Sequence, residues 1–369
     1  MFPILDVAGS PFERGRKHGE QARSRVERSL RNYRELFEHA GLGWEEAQAI
    51  SARFAPTIRA LDPGIYEELE GIASGSGRKT SEILALNART EILPPSFPEK
   101  ASPEWLAAMR AGADLGECTA IAVLPERSAD GKALLAQNWD WLGSQRDSML
   151  VIRTGAYATL TEAGMVAKIG MNRRGFGVCL NILRSGSDGF GKGVPVHIVL
   201  RRLLDCGSVA EAEALLRKLK YASSSNILSA DAGGGAASFE LSPSGVGVVH
   251  GADGTLCHTN HFLDTTVKHS AINPPPSFTS EPRLARAQAI AVEHAKHDLA
   301  SVQKLLRDES AGLGSICRKP DPAVPEFARV ESVASVVMEL GRGVMHIAPD
   351  IPSRCGYEPV ALEAEALVQ

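Results

Sequence analysis

Apolar residues recur at helical spacing through the first third of the chain and at alternating spacing after it. From Phe12 to Ala40, Val26, Leu30, Tyr33 and Phe37 fall near the 3.6-residue period of one helix face. Trp44 to Phe54 reads as a second helix, limited by Pro56. Asp62-Pro63 pairs a capping residue with proline at the first helical position, predicting a helix over Ile65 to Ala73 that Gly75-Ser76-Gly77 stops. Thr80 is placed to cap Ser81 to Ile92, which carries Asn87, Arg89 and Glu91. Pro94, Pro95 and Pro98 break the pattern, and Gly112 to Gly116 reads as a loop leading to Cys118.

After Cys118 the period changes to two. The pattern predicts strands over 119–124, 133–138, 148–153, 158–162, 165–169 and 176–182, many separated by glycine turns. Asp130-Gly131 is the turn signal of a hairpin between the first two. Helices are predicted over Pro195 to Leu204 and Val209 to Leu219, the second opened by Ser208 and Glu211 as a capping box. Strands return at 226–231, 236–241, 246–250 and 255–259. Helices over Glu281 to Lys296 and 300–308 and strands over 333–339 and 343–348 complete the chain. The glycine-rich Gly170-Met171-Asn172-Arg173-Arg174-Gly175 and Gly233-Gly234-Gly235 read as hairpin turns; neither follows a strand to open a helix, so neither is a phosphate cradle. Without strict alternation, this order predicts an α+β fold of antiparallel sheets flanked by helices.

Composition changes that picture little. The 369 residues are 44% hydrophobic and 23% charged, with a formal net charge of −4. No basic field invites nucleic acid, and no apolar run approaches the ~20 residues of a membrane helix. The N-terminal stretch lacks the basic and apolar regions of a secretory signal. Six scattered cysteines then read as reduced thiols, and the expected location is cytoplasmic.

Cys118 heads the strand-rich part, directly after Glu117. A lone cysteine there is commonly a small buried apolar residue. Its position also suits a junction that cuts itself. A thiol of ordinary pKa ~8.5 needs a base at neutral pH, and a free N-terminal α-amine of pKa ~7.7–8 can serve. Cutting Glu117–Cys118 would create that amine. The sulfur would attack the Glu117 carbonyl, the acyl group would shift from nitrogen to sulfur, and water would release it. Residues 1–117 would form a mostly helical segment and 118–369 a catalytic segment, the two staying associated as one folded unit.

Other groups are candidates with plainer alternatives. Asp140, in Asn138-Trp139-Asp140-Trp141, ends the strand that pairs with the Cys118 strand; it serves either the new amine or a turn. Asn260, in Cys257-His258-Thr259-Asn260-His261, is a suitable oxyanion donor. Cys257, His258 and His261 are ligand types for zinc, but the spacing lacks the usual second pair, so neither metal nor cofactor is implied. Either histidine could instead serve as base to an uncut Cys118. Arg318, in Ser315-Ile316-Cys317-Arg318, can grip a carboxylate or make a surface ion pair. Ser223-Ser224-Ser225-Asn226 offers hydroxyls or a polar strand entry. Arg283 and Arg286 carry no signal of their own.

Taken in order, these pieces resemble the acyl-CoA:6-aminopenicillanic acid acyltransferase family of self-cleaving N-terminal-nucleophile proteins. The resemblance rests on Gly15 and Gly19, Asn87-Ala88-Arg89-Thr90-Glu91, Cys118-Thr119, Gln137-Asn138-Trp139-Asp140 and Glu162-Ala163-Gly164. It continues through Lys168-Ile169-Gly170-Met171-Asn172, Gly177-Val178-Cys179-Leu180-Asn181, His258-Thr259-Asn260-His261, Ser315-Ile316-Cys317-Arg318 and Val333-Ala334-Ser335-Val336-Val337. It implies a four-layer αββα sandwich, with Cys118 as nucleophile, Asp140 near its amine, Asn260 at the oxyanion and Arg318 as the site arginine, with Thr119 beside it in substrate binding. It also implies a small acyl or amide substrate, acyl-CoA among the candidates, and is compatible with a homo-oligomer. The residue before the nucleophile is commonly glycine in the best-known member; here it is Glu117. A catalytically silent binding protein of the same fold is the competing reading.

Overall fold

A computed structural model describes residues 1–93, 100–111, 118–189, 193–268 and 279–362. Glu117, the loop before it, Pro94, Pro95 and Pro98 lie outside the described residues. The chain opens with β1 (Ile4–Asp6) and runs through α1 (Pro11–Gln21), α2 (Arg23–His39), α3 (Trp44–Ala52), α4 (Ala55–Leu61), α5 (Pro63–Ser76), α6 (Thr80–Asn87), α7 (Arg89–Ile92) and α8 (Pro103–Arg110). The strand-rich part begins with β2 (Thr119–Val123), β3 (Leu134–Leu142), β4 (Met149–Arg153), β5 (Tyr157–Glu162), β6 (Ile169–Asn172) and β7 (Phe176–Ile182). After α9 (Val196–Leu203) and α10 (Val209–Leu216) come β8 (Ser225–Asp231), β9 (Ala236–Ser242), β10 (Gly245–Val249) and β11 (Thr255–His258). The last elements are α11 (Thr265–Lys268), α12 (Ser280–Glu293), α13 (Leu299–Leu306), β12 (Val330–Glu339), β13 (Val344–Ala348) and β14 (Glu358–Ala361).

Two sheets form the centre. One has eight strands in the order β1-β4-β5-β6-β7-β8-β9-β10, antiparallel except for the parallel β1–β4 pair. The other has six, β11-β2-β3-β12-β13-β14, all antiparallel. The sheets face each other across β2, β3, β7 and β8. Gln137 on β3 bridges them: its amide exchanges hydrogen bonds with the main chain of Leu180 on β7. Both strands are buried along their whole length, as the middle of a layered sandwich requires. Helices α12 and α13 cover the outer face of the six-stranded sheet, and α10 packs on β8 and β9. The earlier helices gather with α9 around the β5–β6 end. This is the four-layer αββα sandwich.

Helices α1 and α5 pack unusually closely, and glycine makes that possible. A Cβ on Gly15 would lie 2.0 Å from the Glu68 carbonyl oxygen, and one on Gly75 2.0 Å from that of Arg16. Small residues on both partners let the backbones meet.

The differences from the sequence expectation are local. The helix expected over 12–40 breaks at Ala22, and the second stops at Ala52, before α4 starts at Ala55. Thr80 is the first helical residue rather than the cap, which is Lys79. The strand expected at 165–169 lies at Ile169–Asn172, because Gly164 at φ +96° turns the chain first. Gly170, Met171 and Asn172 therefore sit in a strand, not a turn. Strands β1 and β14 and helix α8 escaped the pattern; the two strands are only 3 and 4 residues long.

Candidate active site around Cys118

Antiparallel pairing of β2 with β3 sets Thr119 opposite Asn138, so Cys118 stands just ahead of the pair, beside Trp139. Cys118 is almost completely buried. Its main chain is held from three directions. The N–H donates to Asn260 Oδ1 at 2.6 Å. The carbonyl oxygen accepts from Asn181 Nδ2 at 3.1 Å and from Arg283 NH1 at 2.8 Å. By contrast, among the described residues Sγ meets a weak partner, the Asp140 carbonyl oxygen at 3.8 Å.

The holding groups are themselves fixed. Arg283 is fully buried on α12 and also donates to Thr119 Oγ1 at 2.9 Å and to Asn260 Oδ1 at 3.1 Å. Asn260 Nδ2 donates to the Ile182 carbonyl at 3.0 Å, and its N–H donates to Ser280 Oγ at 2.7 Å. Two donors on Oδ1 and an acceptor at Nδ2 define the orientation of this amide. Asn181 is backed in turn by Asn226 and Ser238 across β8 and β9.

Burial pushes the Cys118 thiol pKa up, and the Asp140 carboxylate adds to the effect; Lys168 and Arg283 oppose it. The thiol therefore stays protonated until a base reaches it. Lys168 is buried with Nζ 3.5 Å from the centre of the Trp139 ring. Burial pushes its pKa well down, Arg89 contributes in the same direction, and Glu162 and Cys118 oppose.

Cys118, Thr119, Asp140 and Asn260 are thus brought together. The Asp140 carboxylate accepts from Ser332 Oγ at 2.6 Å on the neighbouring strand, and the amide of Cys118 is held by Asn260 instead. Arg318 reaches this cluster through its main chain: its N–H donates to Ser332 Oγ at 3.0 Å and its carbonyl accepts from Ser332 N–H. The guanidinium on the Cys118 carbonyl is that of Arg283, which sequence reasoning passed over. Its signal was present: Arg283 shares the buried stripe of α12 with Leu284, Ala287, Ile290 and Ala291. An arginine on an apolar stripe must find buried partners.

The histidines are committed elsewhere. His258 sits between the Thr259 carbonyl and Glu240, at 2.8 and 2.7 Å, and His261 Nδ1 lies 2.7 Å from Ser280 Oγ. Among the described residues, no three histidine, cysteine or acidic side chains converge to hold a metal, and no helix is long and apolar enough to cross a membrane.

The family described as acyl-coenzyme A:6-aminopenicillanic acid acyl-transferase matches residues 127–335, more than half of the chain. The chain belongs to that family. The matched stretch contains Asp140, Asn260, Arg283 and Arg318 and begins after Cys118. The acyl-coenzyme A:6-aminopenicillanic-acid-acyltransferase 40 kDa form of Emericella nidulans is 28% identical over 326 residues, covering 84% of this chain and 83% of that protein. Among solved structures, a conjugated bile acid hydrolase of Clostridium perfringens overlaps at 14% identity and TM-score 0.44, covering 66% of this chain and 96% of that one. A penicillin V acylase of Agrobacterium tumefaciens overlaps at 15% identity and TM-score 0.40, covering 63% of this chain and 83% of that one. Overlaps this partial carry no further argument. Membership supports an enzyme of the acyltransferase kind.

Proposed function

We propose that the chain cuts itself between Glu117 and Cys118 and then works as a cysteine N-terminal-nucleophile amidohydrolase or acyltransferase. The observation that carries this reading is the contrast within Cys118. Three buried side chains grip its main-chain nitrogen and oxygen, while its sulfur meets one carbonyl at 3.8 Å. A structural cysteine needs no such grip. A residue whose nitrogen is to become a base, held beside its own sulfur, does.

In the first step Sγ attacks the Glu117 carbonyl carbon, the peptide C–N bond breaks and the nitrogen takes a proton. Water then hydrolyses the thioester, leaving a carboxylate on Glu117 and an α-amine on Cys118. Asn260 Oδ1, which accepts the amide proton of Cys118 in the uncut chain, would accept one amine proton after the cut and aim the lone pair. The mature amine takes the thiol proton, Sγ attacks a small amide or thioester, and the leaving group departs with that proton. Water or an amine then resolves the acyl-enzyme, since a thioester yields to either. As an oxyanion donor, Asn260 would share its Nδ2 between Ile182 and the substrate oxygen. Arg283 adds a fixed positive charge beside the nucleophile, and Arg318 remains the candidate for gripping a substrate carboxylate.

Buried contacts give the two pieces reason to remain together. Tyr33 OH donates to Glu162 Oε1 at 2.5 Å, Asn87 bonds Gly164 and Val166, and Gly164 N–H donates to His18 Nε2 at 3.0 Å. Intact-mass analysis tests the reading: wild type should give fragments 1–117 and 118–369 that co-purify, and Cys118→Ala a single uncut chain. A substrate-derived adduct should map to Cys118. Full activity in an uncut wild-type chain, or turnover that survives thiol alkylation, would overturn it.

A further inference from the structure

Two polar atoms in one cleft have no hydrogen-bond partner among the described residues. Glu91 and Thr90 stand at the start of α7 and line a cleft whose opposite wall runs from Ile182 to Asp188, with Ser223 beside it. Glu91 is 3% exposed. Its Oε1 accepts from Val196 N–H at 2.9 Å and from Ser223 Oγ at 2.7 Å. Among the described residues its Oε2 has no partner, and neither has the buried Thr90 Oγ1. A buried carboxylate oxygen is costly to leave without a donor, more so when charged, so this pair of acceptors suits a donor carried by a bound molecule. The cleft is narrow and takes a group of water or ammonium size rather than a ring.

The cleft is also connected to the residue that carries the nucleophile. Its wall residue Ile182 accepts through its carbonyl the hydrogen bond of Asn260 Nδ2, and the same amide holds the Cys118 nitrogen. Two hydrogen bonds through the Asn260 amide thus link the wall of the cleft to the Cys118 main chain. We propose that the Thr90–Glu91 cleft is a subsite for a protonated amino group of the substrate, with Glu91 Oε2 and Thr90 Oγ1 accepting its N–H bonds. This rests on the acyl-transfer reading of Cys118 above. An ammonium brings both the missing donors and the missing counter-charge, whereas water brings only donors. The charges nearby do not replace it. Asp188 is acidic and is satisfied by Ser185 and Ser224; Arg184 lines the cleft but has other contacts.

Burial raises the Glu91 pKa to about 7, against hydrogen bonds from Val196, Ser223 and its own main-chain N–H and the charge of Arg89, while His197 on the facing helix is kept neutral by its own burial. Ammonium binding should therefore strengthen as pH rises through about 7, where the carboxylate forms.

The test titrates the full chain with ¹³C-methylammonium chloride, followed by NMR, at pH 8 and pH 5.5, with methanol as the neutral comparison. Wild type should bind methylammonium saturably at pH 8, less well at pH 5.5, and methanol should not compete. Glu91→Gln keeps the acceptor for Val196 and Ser223 and replaces the bare oxygen with a donor; it should weaken binding tenfold or more. Should that variant fold poorly, Thr90→Val serves, with a several-fold loss expected. As a functional readout, the kcat/KM ratio for a 6-aminohexanoyl over a heptanoyl thioester should fall about tenfold in Glu91→Gln. No saturable binding, an ordered water only, or binding unchanged in both variants would overturn the proposal. Peptide mapping of the Cys118 adduct separates the two readings. An adduct without Glu91-dependent amine binding defeats the cleft alone; amine binding without an adduct defeats the acyl-transfer reading and leaves the cleft standing.

Discussion

The polar groups around Cys118 and those at the seam between the early helices and the strands are equally buried, yet they hold different things. At Cys118, side chains grip the main chain of a single residue: Asn260 takes its nitrogen, and Asn181 and Arg283 take its oxygen. At the seam, side chains grip partners far away in sequence. Tyr33 and Arg89 meet Glu162, Trp141 Nε1 donates to Tyr33 OH at 3.1 Å, and the Arg89 guanidinium lies 4.6 Å from the Trp141 ring centre. The first set fixes the position of one peptide; the second joins two halves of a molecule. Damage to the seam should therefore appear as lost stability and damage at Cys118 as lost rate.

The largest expected effect is at the seam. Arg89→Met leaves Glu162 buried without its ion-pair partner, and breaking a buried pair by removing one member costs about 3–5 kcal/mol. Denaturant unfolding should show that loss, while the fraction that remains folded still matures and turns over. A variant as stable as wild type but inactive would break the comparison by making Arg89 part of the chemistry. Next in size come Asn260→Ala and Arg283→Met, each expected to lower turnover by ~10²–10³, or about 3–4 kcal/mol of barrier. Either loss should fall on kcat and maturation more than on KM. Wild-type rates in folded Asn260→Ala would remove it from the site.

A smaller effect should follow from acid. Burial lowers the His18 pKa to about 4 from its ordinary 6.5, so the folded chain holds it neutral, as the Gly164 N–H bond to Nε2 requires. The folded state then binds fewer protons than the unfolded state between these values. The stability it contributes is present above about pH 6.5 and is lost as pH falls toward 4, on the order of 3 kcal/mol in all. His18→Gln should flatten that part of the pH–stability curve. An unchanged curve would show that the seam does not depend on this bond.

How much was legible in the sequence follows the same division. Cys118, Asp140 and Asn260 were legible as candidates: Cys118 heads β2, Asn260 follows β11 in a polar run, and Asp140 stands between two tryptophans inside β3, which runs on to Leu142 beyond the expected strand end. The sheets were legible because β2 is an unbroken apolar run after Thr119, because β3, β7 and β8 mix apolar residues with polar ones, and because glycine turns separate many of the strands. Arg283 was missed since an arginine between Pro282 and Leu284 on a helix reads as a surface charge, and only the burial of the stripe it shares shows otherwise. Arg89 and Glu162 were likewise quoted as motif residues without a role, because their partners are brought to them by tertiary packing. Glu91 could not be read from the sequence: that one of its oxygens is bare depends on where Val196 and Ser223 come to lie.

Asp140 offers the finest test of the comparison, because its two ends point to different jobs. Its carbonyl oxygen faces the sulfur, and its carboxylate accepts from Ser332 Oγ, which also receives the Arg318 N–H. Asp140→Asn keeps an acceptor for Ser332 and removes the charge. That charge adds to the burial that raises the Cys118 thiol pKa, so its removal should lower the pKa. The pH profile of Cys118 alkylation by iodoacetamide should then shift toward lower pH, even as turnover falls through loss of the negative partner for the new amine. A shift toward higher pH would mean that the carboxylate acts on the sulfur by fixing the strand rather than through its charge. Asp140 would then belong with the groups that hold the main chain of Cys118.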